Sequence, residues 1–450
     1  MAINLQYTQF ITYDMLLIYV HKITPRVSYT FKQICKRILG LDIDFTSKIE
    51  SFIAHDGPKF SYGKQPLGKE LYFQSVELLF EHGFNEVDIQ VTSWGEVSCF
   101  FPVKHPEAAL PFDVFAASFY LLTRYEEYLP HVKDEMGRFI ATESIAYIHD
   151  FLQEPVVDIW ALSFKKILLE KYPDIQFLKK TFRMLPIVTV SQTFAYRKKG
   201  ILRSIGGGVR DVLKLRLHEV TNRIKVVIGV KKDPYDTFDF IIDLQKKKKR
   251  TCAVLFGLGD YSNTEINISH SAPANREVIK HVSDYMDVGL KVSYDAITDL
   301  IQLKEEKKRI ENIVNRQLEI SLCSFYKIKL PEAYRNFVEL EIKEDFSMAY
   351  PEHAGFRAGT CTPFMFYDLD YEVQTPLIIY SPCCNPLSFT TNKNESEIKK
   401  ELLAYVSKIK KVDGVFIPFF SNGLFSELNN QQFWKSIFEF IWNLEDDTYN

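Results

Sequence analysis

In the second half of the chain, short apolar runs alternate with longer stretches whose apolar positions recur every three or four residues. Ile187-Val-Thr-Val190, Ala253-Val-Leu-Phe-Gly257 and Gly414-Val-Phe-Ile-Pro-Phe-Phe420 are rich in β-branched and aromatic residues and predict strands. Between them, helical spacing covers Arg210 to Lys225, Ala274 to Met286, Leu300 to Gln317, Glu395 to Lys411 and Gln432 to Leu444. Strand and helix in alternation predict a parallel sheet with covering helices, open or closed into a barrel.

Residues 1–180 read as a separate α/β unit. Asn4 to Tyr7 and Ile18 to Val20 read as short strands, and Thr30 to Leu39 has helical spacing. Phe52-Ile-Ala54 leads into the turn signal His55-Asp-Gly-Pro58. Val87-Asp-Ile-Gln-Val91 alternates cleanly and predicts a half-buried strand. Phe112 to Leu129 predicts one long helix with Pro111 ahead of its first turn, and Glu126-Glu127 read as its solvated face and cap.

One stretch departs from both patterns. Glu344 to Asp368 holds Gly355, Gly359 and Pro363 among Phe356, Phe364, Phe366 and Tyr367. Such a segment is mostly loop, yet too aromatic to stand free in water, and reads as the wall of a cleft. The plainer alternative is a packed loop with Arg357 paired to Asp345 or Asp368.

The same stretch resembles the polysaccharide deacetylase family, the relatives of nodulation-type chitooligosaccharide deacetylases, in a bacterial subgroup with an extra N-terminal domain. The subgroup reads E-D-[FY]-S-M-x-Y followed by G-F-R-A-G-T-C-x-P-F-x-F-Y-D, which the chain matches through Asp368. The helix at 112–129 and Pro155-Val-Val-Asp-Ile-Trp160 also resemble that subgroup's N-terminal domain. The resemblance implies an N-terminal α/β domain over 1–180 and, over 181–450, the family's distorted (β/α) barrel, whose function sits at the C-terminal strand ends. It also implies a divalent metal that polarises an amide carbonyl, with a carboxylate base and a second acid.

The positions that should carry this chemistry are substituted. Where the family has T-Y-D-x-D-N-A-W-A-Y, the chain has Ile187-Val-Thr-Val-Ser-Gln-Thr-Phe-Ala-Tyr196. Ala195, Tyr196, Lys199 and Gly200 fix the register, so Thr189 and Ser191 stand for the two aspartates. Gly289-Leu-Lys-Val-Ser-Tyr294 puts Lys291 where a metal-binding His is expected. Ser321-Leu-Cys-Ser-Phe325 puts Ser324 in place of another His, and Phe416-Ile-Pro-Phe-Phe-Ser-Asn422 puts Ser421 in place of the last. Hydroxyls bind hard cations less well than carboxylates, and an ammonium repels them.

The expectation is therefore a non-catalytic deacetylase-like protein of surface-polysaccharide metabolism, with no catalytic residue, no metal ligand and no cofactor. Its ligand would be a carbohydrate, or a protein partner in polysaccharide biosynthesis. Tyr196, Asp260, His270, Phe356 and Arg357 are the expected rim of its groove, aromatic faces combined with planar polar groups. Two alternatives stand beside this. One is an active hydrolase of N-acetylated sugars with a rearranged site, for instance around Asp260, His270, Asp345 and His353. The other is a structural subunit of a polysaccharide assembly complex.

Bulk properties trim the remaining classes. A net charge of -3 argues against a dedicated nucleic-acid surface. Lys246 to Arg250 reads as a solvated helix end, and Gly206-Gly-Gly208, lacking a following Lys-Ser/Thr, reads as a flexible joint. Seven cysteines without a repeated spacing suggest free thiols in a reducing compartment. Asp14 interrupts the apolar run from Phe10 to Val20, so neither a signal peptide nor a membrane span is expected, and the expected location is cytoplasmic.

Overall fold

A computed structural model describes residues 15–197, 217–248, 251–262, 269–389, 393–428 and 433–444. The run at Asn4 to Tyr7, the joint at Gly206 to Gly208, the register residues Lys199 and Gly200, and the ends of several predicted segments lie outside these residues.

The chain is mixed α/β. Its first part carries a four-stranded parallel sheet made of β1 (Leu16–Val20), β2 (Ile43–Thr46), β3 (Lys59–Gly63) and β4 (Leu71–Gln74), in the order β2-β1-β3-β4. A small antiparallel hairpin follows, β5 (Thr92–Trp94) with β6 (Val97–Cys99). The helix Val114–Leu122 is buried along its whole length, as expected of a segment apolar on every side. Asp113 starts it by accepting from the Phe115 and Ala116 amides at 3.1 and 3.0 Å. Phe115 stacks on Phe31 with ring centroids 3.8 Å apart, which ties this helix to the sheet's own covering helix.

Several predictions for this part are corrected. The helix foreseen over 112–129 breaks in two, because Arg124 takes a left-handed conformation (φ 54°) between Val114–Leu122 and Tyr125–Tyr128. The segment foreseen over 30–39 is helical, but Lys32–Ile38 winds as a π-helix. Val87 to Val91 forms no strand. Its odd positions pack on the core as the alternation implied, yet no neighbouring strand pairs with it.

The second part is built on an eight-stranded sheet. Two short strands, β7 (Arg183–Met184) and β15 (Val415–Phe416), pair with each other at its lower edge. The sheet itself holds β8 (Ile187–Val190), β9 (Ala253–Phe256), β10 (Asp287–Val292), β11 (Ile320–Cys323), β12 (Glu344–Asp345), β13 (Phe364–Asp368), β14 (Val373–Ile379) and β16 (Phe419–Ser421). Its order is β13-β14-β12-β11-β10-β9-β8-β16, and every pairing but β13 with β14 is parallel. The run foreseen over 414–420 is thus split at Pro418, which has no amide to give to a ladder.

The side chains of these strands sort by the two-residue period. Ile187, Ala253, Leu255, Leu322, Phe346 and Phe419 face inward into one apolar cluster, with Tyr380 packed against it. Val188, Val190, Val254, Phe256, Cys323 and Phe420 face outward into the main core under the helices. Inward residues of β8 and β16 share a cluster with those of β11 and with Phe346 just after β12, so the sheet curls around it. Helices cover the outside. Glu395–Lys410 opens on a capping box between Asn394 and Glu397, and Leu300–Val314 is capped by Asp299.

The main core is continuous across both parts of the chain. The stretch 344–368 is the joint between them. Arg357 donates to both oxygens of Glu127 at 2.9 and 2.7 Å, and to the Ala349 carbonyl at 3.1 Å. Arg124 binds Glu127 and Glu126, each at 2.7 Å, and also donates to the Arg357 carbonyl. Asp158 accepts from the Cys361 amide at 2.9 Å and the Thr362 hydroxyl at 2.5 Å. Arg26 grips Glu372 in the β13–β14 turn. All seven cysteines are buried and free. Among the described residues, no helix is long and apolar enough to cross a membrane.

Candidate functional site

Two residues above the apolar plug, the inward face of the sheet turns polar. Thr189 follows Ile187 on β8 and Ser191 follows Thr189, while Ser421 follows Phe419 on β16 and Ser324 follows Leu322 beyond β11. The register completes the ring: Ser421 lies opposite Thr189, and Lys291 opposite Leu322. Thr189, Ser191, Lys291 and Ser421 line one cavity of ≈ 410 Å³ at the C-terminal ends of the strands. Ser324 is buried just beneath, and its Oγ accepts from Lys291 Nζ at 2.8 Å. The five positions singled out by motif alignment therefore converge in space.

The rest of the cavity is aromatic and amide. Phe325, Tyr326 and Phe419 form walls, Leu322, Leu387 and Leu424 add aliphatic surface, and Gln192 and Asn385 also line it, the Asn385 amide being engaged by the Leu387 amide and the Tyr350 carbonyl. Phe325 and Tyr326 both adopt left-handed backbone, with φ of 60° and 56°. Two consecutive bulky residues there store about 1–2 kcal/mol each. The first part of the chain holds this strained corner. Arg138 donates to the Phe325 carbonyl at 3.0 Å, and Tyr294, on the adjoining loop, donates to the Met136 carbonyl at 3.1 Å. Asn385 caps the turn at Pro386–Ser388 and donates to the Tyr350 carbonyl at 3.1 Å, which fixes the opposite wall.

This donor set does not fit a hard divalent cation. Among the described lining residues there is neither a carboxylate nor an imidazole, and the one formal charge is the Lys291 ammonium. Hydroxyls and an amide on an aromatic frame instead match an uncharged polar ligand.

The residues foreseen as the groove's rim lie elsewhere, and that assignment is corrected. Phe356 and Arg357 are each 1% exposed, in the joint with the first part of the chain. Glu126 and Glu127, foreseen on a solvated face, are buried there too. Burial pushes the Glu127 carboxyl up, but the Arg357 and Arg124 guanidiniums outweigh it and hold the group at about 2. Tyr196 is buried beside Ala195 and Val226 under the Arg223 guanidinium, where Asp233 accepts from the amides of Ala195, Tyr196 and Arg197. Asp260 and His270 do approach each other, but around Arg309 and away from the cavity. Burial and the Arg309 charge push the His270 imidazole down.

The suggested grouping of Asp260, His270, Asp345 and His353 does not form. His353 packs on Tyr147, and Asp345 is buried among Ser321, Ser347 and Tyr334. Sequence reasoning missed Gln192, Phe325, Tyr326 and Asn385. The available signals were two aromatics directly after an apolar strand and an Asn-Pro turn after Cys384.

No curated protein matches the chain. Residues 16–173 match the model of DUF7033, a family of unknown function. Solved structures are matched at low identity. A Mycobacterium smegmatis protein assigned as a polysaccharide deacetylase is 9% identical at a TM-score of 0.36, over 59% of this chain and 85% of that one. A mutant of a CE4 family pseudoenzyme with restored enzymatic activity is 9% identical at a TM-score of 0.29, over 58% of this chain and 62% of that one. An allantoinase is 9% identical at a TM-score of 0.36, over 58% of this chain and 85% of that one. The structural neighbours thus include polysaccharide deacetylases at low identity.

Proposed function

We propose that this is a polysaccharide-deacetylase-like protein whose strand-end cavity binds a carbohydrate instead of hydrolysing one. In this reading residues 181–450 are the family's distorted (β/α) barrel and residues 1–180 an N-terminal α/β domain. The protein works in the cytoplasm, in surface-polysaccharide metabolism. One observation carries the reading: of the residues aligned with the family's metal and acid/base positions, Thr189, Ser191, Lys291 and Ser421 line one cavity with Ser324 beneath Lys291, and they are hydroxyls and an ammonium. Supporting it are the aromatic walls, on which the apolar face of a sugar ring packs, and a size within the range of about 300–1,000 Å³ usual for small-ligand pockets. A sugar hydroxyl or acyl oxygen would accept from Lys291 while Thr189, Ser191 and Ser421 take the remaining polar groups.

The test is calorimetric titration with N-acetylglucosamine oligomers, alongside an assay for released acetate with and without added zinc. Saturable binding with no acetate released is the expected result. Acetate released at a rate abolished by chelator would instead establish a rearranged hydrolase. Absence of binding to any of these oligomers would sink the carbohydrate reading as stated.

A further inference from the structure

A second cleft lies at the opposite edge of the curled sheet. It has a volume of ≈ 630 Å³ and opens beside Arg183 on β7 and Val415 on β15, the strands that precede β8 and β16. Three segments distant in sequence close it: the end of the π-helix (Lys36, Arg37), the connection between the two parts of the chain (Lys179, Lys180, Thr181, Arg183), and the joint stretch (Thr362, Pro363). Tyr380, Ile378, Pro363 and Val415 give it an apolar floor.

Its charge is one-sided. Lys36, Arg37, Lys179, Lys180 and Arg183 face a single lining carboxylate, Asp413. Lys36 is exposed and turned to Asp42 at 2.7 Å. Among the described residues, Arg37, Lys179, Lys180 and Arg183 make no ion pair. Lys180 is half-buried, and burial together with the Arg183 and Arg37 charges pushes its ammonium down; Asp158 opposes this more weakly. Arg183 also acts on Glu344, and Arg183 and Arg37 both act on the Tyr380 hydroxyl, which places these groups around one space. Five cations gathered in a concavity with one lining carboxylate repel one another, and a bound anion relieves that repulsion. Two guanidinium forks and a partly desolvated ammonium are the donors that recognise phosphate oxygens.

We propose that this cleft is a binding site for a small molecule bearing a diphosphate group, held by Arg37, Lys180 and Arg183, with the rest of the ligand on the Tyr380–Pro363 floor. The site is independent of the strand-end cavity. It would couple the two parts of the chain, since its donors come from both.

The experiment is calorimetric titration of the full chain with inorganic pyrophosphate, repeated with orthophosphate and with a single-stranded oligonucleotide. Expected are saturable pyrophosphate binding that weakens as salt rises, weaker orthophosphate binding, and an affinity for pyrophosphate reduced about tenfold or more in an Arg37→Gln/Arg183→Gln variant. Lys36→Gln should stay close to the parent. A second measurement does not depend on variants: pyrophosphate should protect Lys180, but not exposed Lys48, from acetic anhydride labelling read by peptide mass spectrometry. Absence of saturable binding, equal labelling of Lys180 with and without pyrophosphate, or an oligonucleotide that binds more tightly than pyrophosphate would each overturn the proposal.

Discussion

Arg357 and Glu127 lie 230 positions apart in the chain and meet in a two-pronged ion pair, with both side chains out of contact with water. The pair closes on Arg124, whose guanidinium holds Glu126 and Glu127 from the other side. Charges this deeply buried are tolerated only while each is matched, so removing one leaves its partner stranded. Arg357→Met is expected to destabilise the chain by about 3–5 kcal/mol. Arg357→Lys should recover little, because a point charge cannot make the fork. Urea unfolding monitored by Trp fluorescence reads both, and a loss under about 1 kcal/mol for Arg357→Met would show that the joint is not held this way.

The two glycines of the same joint should respond unequally. At Gly359 (φ 65°) an added Cβ would stand 2.7 Å from Leu121 Cδ1, the movable end of a side chain. At Gly355 (φ 152°) it would stand 2.6 Å from the Leu152 carbonyl oxygen, which is backbone. The Gly355 amide also donates to the Cys383 carbonyl at 2.7 Å, which pins the position further. Gly355→Ala is therefore expected to lower the melting temperature more than Gly359→Ala. The reverse order would contradict the geometry.

Stability should change with pH in opposite senses for two sets of buried acids. Burial pushes Asp345 and Asp113 up to about 6 in spite of the hydrogen bonds each accepts. The folded state therefore favours their protonated forms, and that stabilisation is full below about pH 4 and lost as pH rises through about 6. Each shift is worth up to about 3 kcal/mol. Glu127, held at about 2, works the other way: its stabilisation is present above about pH 4.5 and lost as pH falls toward 2. The melting temperature should peak between about pH 4 and 5. Asp345→Asn should flatten the decline between about pH 4 and 6. An unchanged slope in that variant would remove Asp345 from the account.

In the cavity, Lys291 donates to Ser324 and lies 5.9 Å from the Phe325 ring centroid. Lys291→Met keeps the length of the side chain and removes the donor. Affinity for the proposed carbohydrate ligand is expected to fall about tenfold while stability changes by less than about 1 kcal/mol. Phe325→Gly should relieve the left-handed backbone strain and raise stability by about 1 kcal/mol, while weakening binding through the lost wall. A Phe325→Gly variant that is less stable than the parent would show that the corner is not strained.

Much of the sheet was legible because its strands are short apolar runs bounded by breakers, as at Ile187–Val190 and Ala253–Phe256. Val87 to Val91 shows the limit: alternation reports which side chains are half-buried, but a strand also needs a neighbour to pair with, and none is there. Arg357 shows another. A lone Arg in an aromatic loop reads the same whether it lines a groove or fills an internal ion pair, and its partner Glu127 sits at a position that itself read as a helix's solvated face. The break at Arg124 was hidden because its side chain is held by tertiary contacts to Tyr350 and the Arg357 carbonyl, beside its local pairs with Glu126 and Glu127, and no Gly or Pro marks the turn. For the cavity, motif alignment found Thr189, Ser191, Lys291, Ser324 and Ser421, whereas the aromatic walls follow from backbone turns that no local pattern announced.

Zinc titration of the parent chain and of a Thr189→Asp/Ser191→Asp/Lys291→His/Ser324→His/Ser421→His variant, with folding checked by circular dichroism, tests most directly the proposal that this cavity stands where a polysaccharide deacetylase would hold its metal. The account predicts no saturable zinc binding by the parent and about one equivalent taken up by the variant, since carboxylates and imidazoles would then replace the hydroxyls and the ammonium around one space. One equivalent bound by the parent, or none by a folded variant, would contradict it.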